Sequence, residues 1–224
     1  MIIPGILEEK FEKAVERIVS VDGASSEIQI DIADGKLVEG KTFLNIEKLK
    51  SLNTKSTLSL HFMVKNPSKY LISSLMLSPF VTRIIPNVNT VITQVVSIRQ
   101  LKCFIKTAKN IGYKVGVSLN YNQEPNIIGP LINKIDLVQF MSVVPGKQGN
   151  DFIPEVLEKI KRFKLTYPTI KTQIDGGVNT TNLTQVLKTG VDNVIIGSAI
   201  FNSENPRNKV LEFIKAAHGS TINN

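Results

Sequence analysis

The sequence contains only one cysteine, Cys103, which excludes an internal disulfide framework. The helical pattern of Leu101–Ala108 around it predicts that Cys103 packs in the core. No apolar run approaches the roughly 20 residues that a membrane-spanning helix needs. The first residues, Met-Ile-Ile-Pro-Gly, lack the basic and then apolar segments of a secretion signal. We therefore expect a soluble, cytoplasmic protein with no membrane partner.

Clusters of basic residues are also missing, although the formal net charge is +8. No run of about five or six basic residues occurs, and basic residues do not alternate with aromatic ones as in single-strand-binding proteins. The lysines recur at polar-face spacing along helical segments. This pattern predicts a solvated surface with a mild attraction for phosphorylated substrates and no nucleic-acid partner.

The chain of 224 residues shows no linker and no shift of composition that would divide it. We expect one domain over residues 1–217 and a loosely ordered polar tail over 218–224.

Strand patterns alternate with helical patterns about eight times, which is typical of a parallel sheet with helical crossovers. The number of repeats favours closure into a TIM (β/α)8 barrel over an open sheet. The predicted strands are Met1–Ile6, Glu27–Ala33, Thr57–Met63, Phe80–Ile85, Tyr113–Leu119, Leu137–Met141 and the runs that begin at Lys171 and Val194. The predicted helices are Glu8–Val19, Phe43–Leu52, one that begins at Pro67, Thr90–Asn110, Ile127–Ile132, Pro154–Thr166 and Pro206–Ala217.

The last two strand runs end in small residues. The first ends in Asp175, Gly176 and Gly177, and the second in Gly197 and Ser198. Glycines at strand ends let backbone N–H groups approach an anion, and the loops after strands seven and eight of such barrels often hold a phosphate. The alternative is that both are ordinary strand-to-helix turns.

Polar and apolar residues alternate along Glu27–Ala33. In a barrel, this alternation points Gln29 and Asp31 inward and the isoleucines of the same strand towards the helices.

Two carboxylates and a histidine are expected to meet at the mouth of the barrel, because all strands of a parallel barrel end on one face. Asp31, His61, Met141 and Asp175 lie at or near such ends. Two close carboxylates need a cation, hydrogen bonds or a retained proton between them. Either a divalent metal with His61 as ligand or a protonated carboxyl would serve proton transfer beside a carbonyl group. Taken singly, each aspartate is equally compatible with a helix cap, and Met63 and Met141 with core packing.

Several short motifs occur in order along the chain. They are Ile3–Leu7, Gln29–Gly35, Leu60–Val64 with Asn66 and Pro67, Met141–Gly146, Ile174–Val178 and Gly197–Phe201. In these motifs the sequence resembles the ribulose-phosphate 3-epimerase family over nearly its whole length.

The resemblance implies a barrel of the ribulose-phosphate-binding type that interconverts D-ribulose 5-phosphate and D-xylulose 5-phosphate in the pentose phosphate pathway. It implies that Asp31 and Asp175 act as base and acid, and that a divalent metal (Zn, Fe, Mn or Co) steadies the enediolate. It also implies a phosphorylated ketopentose as substrate and a homo-oligomer. The implied metal ligands are Asp31, His61, Asp175 and, through its carbonyl oxygen, Gln29. The implied substrate and phosphate contacts are Gly5, Met63, Met141, Gly146 and Gly149 in the loop Val144–Asn150, Gly176, Gly177, Gly197 and Ser198.

The sequence departs from the family pattern on the active-site face. Gln29 stands where the family has a metal-binding histidine, Gly5 where it has a serine, and Ala33 where it has a methionine. Glu39-Gly40 replaces Pro-Asn, and Lys147-Gln148 replaces an aromatic and a glycine. These changes leave two alternatives open: an epimerase or isomerase of another phosphosugar, and a sugar-phosphate-binding barrel without turnover.

Overall fold

The computed structural model of the protein describes residues 1–72, 85–146 and 149–219. Within these residues, eight parallel strands close into a barrel whose order follows the chain, with the last strand paired to the first. The predicted TIM barrel is thus confirmed. The strands are β1 (Ile2–Ile6), β2 (Glu27–Ala33), β3 (Thr57–Met63), β4 (Val88–Gln94), β5 (Lys114–Leu119), β6 (Leu137–Met141), β7 (Lys171–Asp175) and β8 (Asn193–Ile196).

Helices connect the strands and bury their apolar faces against the outside of the barrel. The α-helices are α1 (Phe11–Val21), α2 (Ser68–Ile72), α3 (Ile98–Asn110), α4 (Val156–Thr166), α5 (Leu183–Leu187), α6 (Ser198–Phe201) and α7 (Pro206–Gly219). Among the described residues, none of these helices combines the length and the apolar character that crossing a membrane requires.

Strand β2 shows how the sequence pattern builds the two layers. Ile28 and Ile30 are fully buried in the hydrophobic core, which also contains Ile18 of α1. Gln29 points the other way and donates a hydrogen bond across the barrel to Asp175. The predicted inward direction of Gln29 is therefore confirmed.

The helical interpretation of Thr90–Asn110 was wrong at its beginning. Val88–Gln94 forms β4 and pairs with β3 and β5, and the helix begins only at Ile98. The β-branched residues of this segment favour a strand, and Ser97 caps the helix by accepting a hydrogen bond from the backbone N–H of Gln100. The predicted fourth strand, Phe80–Ile85, lies almost wholly outside the described residues.

Cys103 is exposed, which contradicts its predicted place in the core. The buried positions of α3 are Leu101, Phe104, Ile105 and Ala108, which follow the helical spacing of one face. At about 100° per residue, Cys103 falls on the helix face opposite to these positions and therefore on the solvent side.

Three other segments differ from expectation in detail. The predicted helices Phe43–Leu52 and Ile127–Ile132 are 3₁₀ helices over Ile46–Ser51 and Pro125–Lys134. Helix α7 extends to Gly219, so the first two residues of the predicted tail are helical, and residues 220–224 lie outside the described part.

Candidate active site

A cavity at the C-terminal ends of the strands brings together most of the residues that the sequence singled out. Asp31 of β2 and Asp175 of β7 both line it, although they come from distant parts of the chain. The lining residues that the sequence predicted are Gly5, Asp31, Met63, Met141, Gly146, Gly149, Asp175, Gly176, Gly177, Gly197 and Ser198. Those not singled out individually are Leu7, Val143, Pro145, Asn150, Val178 and Ile195.

Strand pairing sets the positions of the acidic and imidazole groups. Asp31 lies beside His61 in the pairing of β2 with β3, and Asp175 lies beside Met141 in the pairing of β7 with β6. The His61 side chain is fully buried, and its Nδ1 lies 3.2 Å from Oδ1 of Asp31 and 3.6 Å from Oδ2 of Asp175. The imidazole therefore faces both carboxylates from within the barrel.

Burial changes the acidity of Asp175, whose side chain is only 11% exposed. Desolvation, reinforced by the negative charge of Asp31, raises its pKa to about 7, against the opposing effects of His61 and the Gln29 hydrogen bond. A carboxyl group with such a pKa can carry or release a proton near neutral pH, as general acid–base catalysis requires.

Gln29 contacts both aspartates through its amide nitrogen. Nε2 donates to Oδ1 of Asp31 at 3.1 Å and to Oδ2 of Asp175 at 2.8 Å. Gln139 of β6 adds a second N–H donor to the same oxygen of Asp175, at 2.9 Å. Neutral donors therefore offset part of the repulsion between the two carboxylates.

Asp31, His61 and Asp175 could hold a divalent metal. One ligand atom from each lies within 4.8 Å of the other two. Two carboxylate oxygens and one imidazole nitrogen are ligands that suit such cations, and three protein ligands leave positions open for substrate. The predicted fourth ligand, Gln29, turns its amide nitrogen towards this group, whereas a metal would need its carbonyl oxygen.

The turns that follow β7 and β8 also line the cavity. Gly176 has a φ of +115°, and an added Cβ would lie 2.4 Å from a methyl carbon of Val143. Gly177, Ser198 and Asn179 also line an adjoining cavity above helix α6. Side chains are thus excluded where the backbone comes closest to the cavity, as a phosphate site requires.

The structure gives physical reasons for two departures from the family pattern. A Cβ at Gly5 would lie 2.5 Å from Cγ2 of Ile195, so Ile195 occupies the space that a serine side chain needs. A Cβ at Gly40 would lie 1.9 Å from the carbonyl oxygen of Gly146, so the loops after β2 and β6 touch through two glycines. Ala33 is fully buried and lies outside the lining of this cavity in the described residues.

Comparison with known proteins decides the family. The model of the ribulose-phosphate 3 epimerase family matches residues 1–201. The chain belongs to this family. A ribulose-phosphate 3-epimerase from Synechocystis is 30% identical over 220 residues, which cover 92% of this chain and 89% of that protein. The cytoplasmic isoform from Oryza sativa subsp. japonica is 29% identical and covers 98% of this chain and 95% of its own length.

The solved structures resemble the barrel at much lower sequence identity. The crystal structure of 3-hexulose-6-phosphate synthase from Salmonella typhimurium has a TM-score of 0.70 with this chain at 16% identity, covering 98% of this chain and 99% of the other. This likeness supports the fold.

Sequence reasoning missed the polar layer beneath the aspartates. Gln139 and Gln173 are fully buried, two residues before Met141 and Asp175 respectively. The period-two alternation that identified Gln29 would have pointed both glutamines into the barrel as well.

Proposed function

We propose that the protein is a ribulose-phosphate 3-epimerase that interconverts D-ribulose 5-phosphate and D-xylulose 5-phosphate. The observation that carries this proposal is the cavity shared by Asp31 of β2 and Asp175 of β7. Inversion at a carbon beside a carbonyl needs a base on one side and an acid on the other. Membership of the epimerase family supports the same reaction.

In the proposed reaction, one carboxylate takes the proton from C3 of the sugar. The electrons of the C3–H bond form a double bond between C2 and C3, and the carbonyl oxygen becomes an enediolate oxygen. The other carboxyl then delivers its proton to the opposite face of C3, and the carbonyl at C2 forms again. The two carboxyl groups exchange protonation states in each turnover, and they reverse roles for the reverse reaction.

The electrostatics of the site suit this exchange. Without a bound metal, burial and then the charge of Asp31 raise the pKa of Asp175, so its carboxyl can hold a proton near neutral pH. Asp31, His61 and Asp175 would hold the divalent metal, Zn, Fe, Mn or Co, and the metal when bound supplies positive charge near the enediolate. The N–H groups of Gln29 and Gln139 keep the carboxylates in place.

The rest of the cavity holds and orients the sugar. Backbone groups near Gly177, Gly197 and Ser198 bind the phosphate, and Met63 and Met141 pack around the reacting carbons. In this arrangement the phosphate fixes the position of C3 relative to the two carboxyl groups.

One observation favours a second candidate, a sugar-phosphate-binding barrel without turnover. Oδ2 of Asp175 already accepts hydrogen bonds from Gln29 and Gln139, which lowers the tendency of that oxygen to take a proton. This candidate keeps ligand binding and loses proton transfer.

The two candidates are separated by incubating the purified protein with D-ribulose 5-phosphate and a panel of other ketose phosphates. We expect formation of D-xylulose 5-phosphate with the pentose phosphate as the preferred substrate. Binding of the sugar phosphate by calorimetry without any product would support the second candidate instead. A preference for another phosphosugar would be compatible with proton transfer by the two aspartates, but it would refute D-ribulose 5-phosphate as the substrate.

A further inference from the structure

Three buried glutamines form a connected chain of side-chain amides beneath the aspartates. Gln29, Gln139 and Gln173 lie on β2, β6 and β7, and all three are fully buried. Nε2 of Gln173 donates to Oε1 of Gln29 at 2.8 Å and to Oε1 of Gln139 at 2.7 Å. Each acceptor residue then donates through its own Nε2 to Oδ2 of Asp175, as described above.

The hydrogen bonds among the three glutamine amides run in one direction, and Gln173 sets this direction. An amide group has donors on one side and an acceptor on the other, so using the oxygens of Gln29 and Gln139 at Gln173 leaves their N–H groups for Asp175. The orientation of Gln173 is in turn held by Nδ2 of Asn193, which donates to its Oε1 at 3.2 Å. Reversing Gln29 alone would bring its oxygen against two carboxylates and break the bond to Gln173.

We propose that Gln173 is a positioning residue that makes Gln29 an N–H donor to the aspartate pair rather than a metal ligand. Any effect of Gln173 on catalysis rests on the proposed function, whereas its effects on hydrogen bonding and metal affinity do not. The metal site of this chain then has three protein ligands, Asp31, His61 and Asp175.

The variant Gln173→Glu should reverse the direction of the hydrogen bonds among these three side chains. A carboxylate at this position accepts hydrogen bonds and donates none, so it takes the N–H groups of Gln29 and Gln139 and turns both amide oxygens towards Asp175. The oxygen of Gln29 becomes a fourth ligand in this arrangement. We expect the affinity for a divalent metal to rise by about tenfold to hundredfold, the range known for groups that orient metal ligands.

Removing the amide tests the present role of Gln29 directly. In Gln29→Leu, the three ligands remain but both aspartates lose a shared N–H donor, so we expect metal affinity to fall by no more than the roughly tenfold to hundredfold that is typical of groups that orient metal ligands. The double variant Gln173→Glu/Gln29→Leu is the matched control for added charge, because it keeps the new carboxylate and removes the oxygen that should become a ligand.

The experiment measures the dissociation constants of Mn²⁺ and Zn²⁺ by calorimetry on chelator-treated protein of the wild type and the three variants, with thermal unfolding as a check of folding. Tighter binding in Gln173→Glu that disappears in the double variant supports the proposal. An affinity of Gln173→Glu no higher than that of the wild type, or a gain that persists in the double variant, overturns it. If Gln173→Glu does not fold, Gln29→Leu still decides, because a loss well above about a hundredfold would identify Gln29 as a metal ligand and overturn the proposal.

These readouts need no substrate, so they separate this proposal from the proposed reaction. Wild-type protein without epimerase activity but with the expected pattern of metal affinities would refute the reaction and leave the role of Gln173 in place.

Discussion

Asp31 and Asp175 share one hydrogen-bond donor, the amide nitrogen of Gln29, which lies 3.1 Å from the first carboxylate and 2.8 Å from the second. This shared donor joins strands β2 and β7 across the barrel at the floor of the cavity. A buried pair of carboxylates is stable only when such partners offset their repulsion. Changes to these two carboxyl groups and to the amide that joins them should therefore affect catalysis most.

Replacing Asp175 by asparagine should remove most of the epimerase activity. An amide cannot take or deliver the C3 proton, and general acid–base groups contribute about 10²- to 10⁴-fold to rate. We expect kcat to fall by at least about a hundredfold on this basis, while the KM for D-ribulose 5-phosphate changes much less. Steady-state kinetics of Asp175→Asn test this expectation.

Asp136→Asn is the control for that change. Asp136 precedes β6 at the opposite end of the barrel and accepts a hydrogen bond from the backbone of Val115. Its replacement should leave kcat nearly unchanged. Normal turnover by Asp175→Asn would refute the role of Asp175.

Restoring a serine at Gly5 should destabilise the protein because of Ile195. The added side chain would begin 2.5 Å from Cγ2 of Ile195, well inside van der Waals contact. Overpacking of this kind costs about 1–3 kcal/mol in the free energy of unfolding. Urea unfolding of Gly5→Ser measures the cost, and the double variant with Ile195→Ala should recover much of it. A single variant as stable as the wild type would show that the two side chains do not compete.

Adding a methyl group at Gly40 should disturb the loop that follows β6. The new Cβ would lie 1.9 Å from the carbonyl oxygen of Gly146, so one of the two loops must move. Because Gly146 lines the cavity, we expect Gly40→Ala to raise the KM severalfold with a smaller change in kcat. Gly129→Ala is the matched control, since nothing lies within 4 Å of an added Cβ there. Equal KM values for both variants would count against a role for this loop contact in substrate binding.

The carboxylate of Asp192 should make the free energy of unfolding depend on pH under acidic conditions. Partial burial raises its pKa, but hydrogen bonds from Lys164 and Thr172 outweigh this effect and hold it below the ordinary value of 3.8. The unfolded chain therefore binds the proton more readily, so the stabilisation is fully present above about pH 4 to 5 and is lost as pH falls through the lower folded-state pKa.

Unfolding free energies of the wild type and Asp192→Asn between pH 3 and pH 7 test this dependence. We expect the wild type to be more stable at neutral pH and the difference to shrink towards pH 3. A difference that stays constant over this range would show that the carboxylate does not change its pKa on folding.

Local patterns in the sequence were enough to predict the barrel and the directions of β2 side chains. The alternation of Gln29 and Asp31 with isoleucines, and the glycines after Asp175, depend only on neighbouring residues. The helical prediction for Thr90–Asn110 was wrong at its beginning because the apolar residues of Val88–Gln94 also fit a helical period, whereas pairing with β3 and β5 decides the conformation of this segment. Partners such as Gln173 and Gln29, or Gly5 and Ile195, come from strands that are far apart in the sequence, and spacing along the chain does not encode their contacts.

Solvent exchange at C3 of the sugar tests the central claim most directly. Protein loaded with a divalent metal is incubated with D-ribulose 5-phosphate in D₂O, and deuterium at C3 is followed by NMR for the wild type, Asp31→Asn and Asp175→Asn. We expect deuterium to enter C3 at the rate of epimerisation in the wild type and at least about a hundred times more slowly in both variants. Wild-type protein that binds the sugar and leaves C3 unlabelled, or equal labelling by all three proteins, would contradict it.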